Sequence, residues 1–311
     1  MTDKITSMSA KKWFWVALLA VLLVAPNTTV IRIAVNDADP FYWVLSRFLL
    51  VALVCLPFFI TARKSIMHTS ARKPLIIASI AMSISIVAYT YAIYVSQASY
   101  VSIVTLISPI IFVALSSKLT GDKFTRRSVA GLSLAAAGAV ALVVLPAALS
   151  QDGVAFYPLA TLLALTDGFL YSIATIYLRK ANEAGVSMPG GIGVMAIAIA
   201  ALAAVLFALF GDWSRTPVDG GYIGAVLYSG LVVGLLARAL RVFSYEHIGA
   251  YVMSALGYLA TLIAIMIPVV VLDEKLSPEM TIGAILILLG VYVVEHHKHP
   301  HVKHHYIHWH H

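Results

Sequence analysis

The sequence predicts an all-α integral membrane protein of ten transmembrane helices arranged as two inverted five-helix repeats, and three observations predict it. Apolar runs of 18 or more residues recur from Trp13 to Glu295, each long enough to cross a hydrocarbon core about 30 Å thick at ~1.5 Å per residue. Lys and Arg collect in alternate connections between these runs, as the positive-inside rule requires of an even number of spans. The connection after the fourth run is repeated after the ninth, one odd-numbered unit of five spans later.

The composition excludes an ordinary soluble domain. Of the 311 residues, 61% are apolar and only 11% charged, and the mean hydropathy is +0.92, so the solvent for most of the surface is lipid. Splitting the apolar runs at charged, Pro and Gly breaks places the spans at 13–34, 41–61, 74–95, 99–119 and 126–146, then at 157–178, 188–210, 221–242, 250–272 and 280–295. Lys11 and Lys12 precede the first run, which is longer than a signal-peptide core and lacks a small-residue cleavage site, so it is expected to remain as the first span.

With both termini cytoplasmic, the inner side collects Arg63, Lys64, Arg72, Lys73, Lys118, Lys123, Arg126, Arg127, Arg179, Lys180, Arg238 and Arg241 besides the terminal lysines. The outer connections keep only Arg215 and Lys275, while holding Asp37, Asp39, Asp152, Asp212, Asp219, Asp273, Glu274 and Glu279. This asymmetry sets topology and gives the formal charge of +7 no nucleic-acid role. Trp13, Trp15, Tyr42, Trp43 and Tyr157 fall at the interfaces, where aromatic side chains anchor. Cys55 is the only cysteine, which excludes an internal disulfide, and the apolar body holds no Cys/His cluster suited to a metal. No cofactor is expected.

The repeat is carried by particular residues. Asp122-Lys123-Phe124-Thr125 aligns with Glu274-Lys275-Leu276-Ser277, and Gly131 and Gly138 fall on Gly283 and Gly290. Tyr94, Tyr100 and Val101 match Tyr245, Tyr251 and Val252, and Asn27 lines up loosely with Asp167. Five spans is an odd number, so the second copy enters the membrane from the opposite face. The expected organisation is a cytoplasmic N-terminus over 1–12, a first repeat over 13–146, a second, inverted repeat over 157–295 and a His-rich cytoplasmic tail over 296–311. Inverted repeats of this kind belong to secondary transporters, which bind near the bilayer midplane and alternate access by rocking one repeat against the other.

On Pro26-Asn27-Thr28, on Pro40 through Arg47-Phe48, on Pro109 with Gly121-Asp122-Lys123 and on Ile267-Pro268 with Asp273-Glu274-Lys275, the chain resembles the drug/metabolite transporter superfamily and its ten-span EamA-type exporters. The likeness runs over 13–295 and departs from the family pattern at Asn27 to Arg32, where an aromatic-Gly pair is usual. It implies export of a small metabolite across an inner membrane, driven by proton exchange or substrate gradients. Amino acids, as in YddG-like exporters, are the leading expectation, and a nucleotide-sugar, lipid-linked or drug carrier is the alternative on the same fold. The implied partners are the bilayer, a small-molecule substrate and protons, with the chain acting as a monomer or homodimer.

Asp167 lies about ten residues into the sixth span, where insertion scales charge roughly 2.5 to 3.5 kcal/mol for an aspartate. It is the candidate coupling residue, with Tyr171 one turn away; packing against an Arg or a hydroxyl is the competing explanation. Arg47 stands well inside the second span, one turn from Trp43. It is expected to meet a substrate carboxylate, pair with Asp167 or reach a lipid headgroup. Arg32 is nearer a span end and is expected to snorkel, and Arg238 and Arg241 are expected to snorkel or gate at the cytoplasmic end of the eighth span. Asn27 and Thr28 follow the Pro26 break and offer an amide and a hydroxyl either to substrate or to a neighbouring helix. Tyr89, Tyr91 and Tyr94 crowd the third span, Tyr91 and Tyr94 on one face, as pocket lining or as packing.

An intramembrane enzyme would need a nucleophile with its base, or clustered metal ligands. Neither HExxH nor GxSxG occurs, and His68 and His247 stand without a partner motif, so the chain is not expected to be an enzyme. The tail from His296 is dense enough in imidazole to bind zinc or nickel and reads equally as a purification extension or a native tail.

Overall fold

The computed structural model describes residues 2–66, 69–108, 157–276 and 278–295, with positions 111, 115, 130, 131, 133, 134, 137 and 138 between them. Everything regular among the described residues is helical. α1 (Thr2–Val24) is followed by α2 (Asn27–Asp37), α3 (Pro40–Ile66), α4 (Thr69–Tyr94) and α5 (Ala98–Val104), the last continued by a 3₁₀ turn over Thr105–Ile107. Then come α6 (Pro158–Glu183), α7 (Met188–Phe210), α8 (Gly220–Leu227), a π-helical stretch over Tyr228–Ala237, α9 (Arg238–Val271) and α10 (Pro278–Glu295).

Six helical segments among these are long and apolar enough to cross a membrane: Lys12–Asp37, Pro40–Thr61, Ser70–Tyr94, Pro158–Glu183, Met188–Phe210 and Gly220–Arg241. Shorter apolar helices occupy Ala98–Ile107, Leu259–Val271 and Thr281–Gly290. Most of the expected fifth span at 126–146, most of 109–119, Asp122 and the His-rich tail lie outside the described residues.

Two expectations are refined. The first span is broken at Ala25 and Pro26, between α1 and α2, because Pro26 has no N–H to continue the ladder. The helical backbone also runs without interruption from Gly220 to Val271, through the connection expected near 243–249. Apolar periodicity there distinguishes two spans, but no Pro or Gly pair forces the chain to leave the helix until Pro268.

Small residues let the helices approach closely, as they do where lipid leaves little hydrophobic drive for helix pairing. α4 packs along α6, burying Ala78, Ala81 and Ala92 with Ala160, Ala164 and Ala174. α3 packs along α7, where Val51, Ala52 and Cys55 meet Ala196. α1 lies on α9 through Ala17, Val21 and Leu256. The outward faces are apolar, with Leu53, Ile60, Leu162, Leu209 and Val270 all exposed, as a lipid-facing surface demands. Several hydroxyls inside the helices are satisfied on their own backbone, for example Ser83 donating to the Ser79 carbonyl at 2.7 Å and Ser172 to that of Gly168 at 2.7 Å.

Candidate functional site

A layer of polar side chains crosses the bundle about 8 to 15 Å of helix rise below the end that carries Asp39, Tyr94 and Arg215. α2 begins just after the Pro26 break and supplies Asn27 and Thr28. α3 supplies Arg47, α4 supplies Ser85 and Tyr89, α6 supplies Asp167, and the π-helical stretch supplies Ser229. The Ser85 hydroxyl donates to Asp167 Oδ1 at 2.5 Å. Ser229 donates to Asn27 Oδ1, and the Thr28 and Tyr89 hydroxyls bond at 2.9 Å. Tyr228 donates to the Leu23 carbonyl at 2.6 Å, beside the Pro26 break. A helix break and a widened turn thus face each other, both devices that aim polar groups inside a membrane.

Arg47 is 9% exposed. Its Nε has no hydrogen-bond partner, and its guanidinium lies 5.0 Å from the Phe48 ring centroid. The expected pairing with Asp167 does not form: among the described residues the one ion pair is the exposed Arg179–Glu183 contact at 2.9 Å. Tyr89 nevertheless lies within electrostatic reach of both the buried Arg47 and the half-buried Asp167, so a guanidinium and a carboxyl flank one phenol without pairing. Arg238, expected as a gating residue, is half-buried and within electrostatic reach of Arg47; Arg241 is exposed. A Cβ added at Gly230 would stand 3.4 Å from the Arg47 carbonyl and 3.3 Å from Leu50, so glycine lets the widened turn lie against α3 at Arg47.

The remaining candidates are placed elsewhere. Trp43 is fully buried, edge-on to Tyr222 at 5.8 Å, and its indole N–H has no partner. Tyr171 is 41% exposed, away from the Ser85 contact of Asp167. Tyr91 stacks on Phe41 at 5.8 Å and touches Tyr94 at 5.6 Å, at the end of the bundle above the polar layer. Arg32 does not snorkel: its Nη1 donates to the carbonyls of Ile93 and Tyr94, both at 2.8 Å, because the last carbonyls of α4 have no helical partner and a cation there completes them.

That end is closed by contacts between sequence-distant segments. Arg215 donates to the carbonyls of Val35 at 2.9 Å and Asn36 at 2.6 Å, and to the Tyr94 hydroxyl at 3.0 Å. Asp39 is 5% exposed. Its carboxylate accepts from the backbone of Phe41, Tyr42 and Asp212, and its own N–H donates to the Arg215 carbonyl at 2.8 Å. Glu274 accepts from the N–H groups of Ala98 and Ser99 at 2.8 Å each and from the Ser99 hydroxyl at 2.5 Å. Ser85, Ser229, Arg215 and Glu274 escaped selection as site residues, whereas the sequence offers Tyr89 as pocket lining or packing. Serines and loop charges carry no marker of their own, and every partner is at least 61 positions away in sequence.

A buried guanidinium, a carboxyl and bonded hydroxyls between long apolar helices give a multi-pass membrane bundle a polar interior. The chain matches the EamA-like transporter family twice, over residues 11–144 and 158–295, and it belongs to that family. An uncharacterized transporter of Archaeoglobus fulgidus is 24% identical over 289 residues, spanning 88% of this chain and 94% of the relative. A WAT1-related protein of Arabidopsis thaliana is 38% identical over 77 residues, 25% of this chain and only 21% of the relative. A crystal structure of a protein 18% identical superposes with a TM-score of 0.62, covering 91% of this chain and 97% of that one, which is a likeness of fold.

Proposed function

We propose that the chain is a secondary transporter that exports an amino-acid-sized solute across a bacterial-type inner membrane, alternating access between two inverted five-span halves with both termini cytoplasmic. The observation that carries the substrate class is the separation of Arg47 from Asp167. Burying a cation such as Arg47 without a counter-ion costs several kcal/mol, and that cost is offset when a solute brings the complementary charge. A solute carboxylate meets Arg47, a solute ammonium meets Asp167, and Tyr89 and Thr28 supply hydroxyls between them. Arg238 adds positive potential on the carboxylate side.

The halves are joined in a pattern that supports the inverted reading. The first helix of each half is bonded to the third helix of the other, Asn27 to Ser229 and Asp167 to Ser85. The second helix of each half packs along the second helix of the other, α3 on α7. The steep excess of Lys and Arg on one side supports the orientation. Asp167 doubles as the coupling group: a carboxyl that holds a proton in one state of the cavity and a solute cation in the other ties flux to a proton gradient.

The test is reconstitution into liposomes with labelled amino acids, nucleotides and cationic drugs, with and without an imposed pH gradient. Uptake of zwitterionic solutes, stimulated by the gradient, is the expected result. Uptake confined to nucleotides or lipophilic cations would place the chain with another class of carrier. Cysteines at Asp122 and Glu274, equivalent positions of the two repeats, are expected to react with an impermeant thiol reagent from opposite faces, and reaction of both from one face contradicts the inversion.

A further inference from the structure

We propose that Glu274 and Arg215 form a two-part latch that holds one face of the bundle shut, and that the latch is coupled to which half carries a broken helix. The proposal rests on the alternating-access reading and identifies the residues that hold one of its states.

The first part is a carboxylate cap. α9 ends at Val271, and Asp273 follows in the left-handed conformation at φ 52°, a geometry that Asp tolerates better than most side chains. The turn carries Glu274 back under the Pro268 carbonyl and onto the start of α5, where it takes up two backbone N–H groups and a hydroxyl. Those N–H groups are free only because the chain leaves the helix at 95–97, between α4 and α5. The cap from the second half therefore exists by virtue of the break in the first.

The second part is the strap over 211–219. A Cβ at Gly211 would lie 2.2 Å from the Phe207 ring, so glycine lets the chain turn tightly off α7. Asp212 folds the strap by accepting from the Ser214 hydroxyl at 2.6 Å and its N–H at 3.0 Å. Arg215 is thereby presented to Val35, Asn36 and Tyr94 of the first half.

The repeat alignment supplies the coupling. Tyr94 corresponds to Tyr245 and Tyr100 to Tyr251, so the break at 95–97 corresponds to 246–248. There the backbone of α9 is helical, and its N–H groups are engaged within the helix. One sequence repeat thus stands in two backbone forms, broken and latched in the first half, unbroken in the second. Opening the latched face releases Glu274 and Arg215, lets 95–97 join the helix and breaks 246–248 in exchange.

The test uses the full chain in membranes, with Cys55→Ala as background and Ser102→Cys as reporter, since Ser102 is 3% exposed and one turn below Ser99. An impermeant maleimide is added from the side that carries Glu274. Glu274→Ala and Arg215→Ala are each expected to raise the labelling rate about tenfold, the loss of charge-assisted hydrogen bonds, with Glu274→Gln intermediate and Lys275→Ala unchanged. His247→Pro, which forces the second-half break without touching the latch, is expected to raise it as well. Parent-like labelling in Glu274→Ala and Arg215→Ala, in protein that remains monodisperse, overturns the latch; parent-like labelling in His247→Pro overturns the coupling. Solute flux is measured in the same membranes. Flux with unchanged labelling removes the latch and leaves the transporter, whereas labelling that responds in a chain that moves no solute removes the transporter and leaves the latch.

Discussion

Arg215 and Arg47 carry the same side chain into the same bundle and meet opposite treatment. Arg215 donates three hydrogen bonds and lies 5.4 Å over the Tyr94 ring; its charge is consumed in holding two segments together. Arg47 is deeper, and its Nε is left without an acceptor. A guanidinium completed by carbonyls is structural, whereas a buried one left incomplete is a standing demand for an anion.

The comparison breaks most visibly in binding. Arg47→Ala is expected to weaken a carboxylate-bearing solute by roughly ten- to a hundredfold, the loss of a charge-assisted pair in a dry site. Arg238→Ala should stay within about threefold, since it acts only at longer range. Titration calorimetry on detergent-solubilised protein reads both, and equal losses would remove Arg47 from the site.

Stability should run the other way. Arg215→Met discards three bonds and exposes two helix-end carbonyls, at a cost of about 1 to 3 kcal/mol. Arg47→Met replaces an incompletely paired buried charge by an apolar chain of similar length and should be neutral or stabilising. Thermal midpoints of the two variants therefore move in opposite or clearly unequal directions, and a larger loss from Arg47→Met would show that its charge has a structural partner.

A smaller effect is expected at the hydroxyls. Ser229→Ala leaves Asn27 Oδ1 without its donor and should lower stability by about 1 kcal/mol, read as a shift in thermal midpoint with solute affinity nearly unchanged.

The smallest concerns Asp212, whose carboxyl is held below the usual carboxylate range by the Ser214 hydroxyl and N–H. A lowered carboxyl contributes stability above its unfolded pKa and loses it as pH falls through the folded value. Ser214→Ala should therefore differ slightly from the parent at neutral pH, and the difference should close in acid. A difference that grows in acid would reverse that assignment.

Long apolar helices were legible in the sequence, and so was the position of Asp167 and Arg47 well inside two of them, because both follow from runs of apolar residues and the charges that interrupt them. The sixth and seventh spans, expected at 157–178 and 188–210, appear as Pro158–Glu183 and Met188–Phe210; Pro near each start and polar residues at each end mark them out. Arg32 misled because depth alone suggests snorkelling, while the carbonyls it completes belong to α4, 61 residues away. Tyr91 and Tyr94 share a face as expected, but helical phase does not tell which level of the bundle that face serves. Ser85 and Ser229 had no signal at all, since a hydroxyl in a membrane helix satisfies itself on its own backbone as readily as it bonds a neighbour.

The central claim is that Arg47 and Asp167 hold opposite ends of one solute and that Asp167 couples its movement to protons. The most direct measurement compares the parent with Asp167→Asn in liposomes, following a labelled amino acid in two regimes: exchange at equal pH, and accumulation under an imposed pH gradient. Asn keeps the size and the bond to Ser85 but does not titrate, so exchange should survive while gradient-driven accumulation collapses. Accumulation against a concentration gradient by Asp167→Asn, at the parent's rate, would contradict the account.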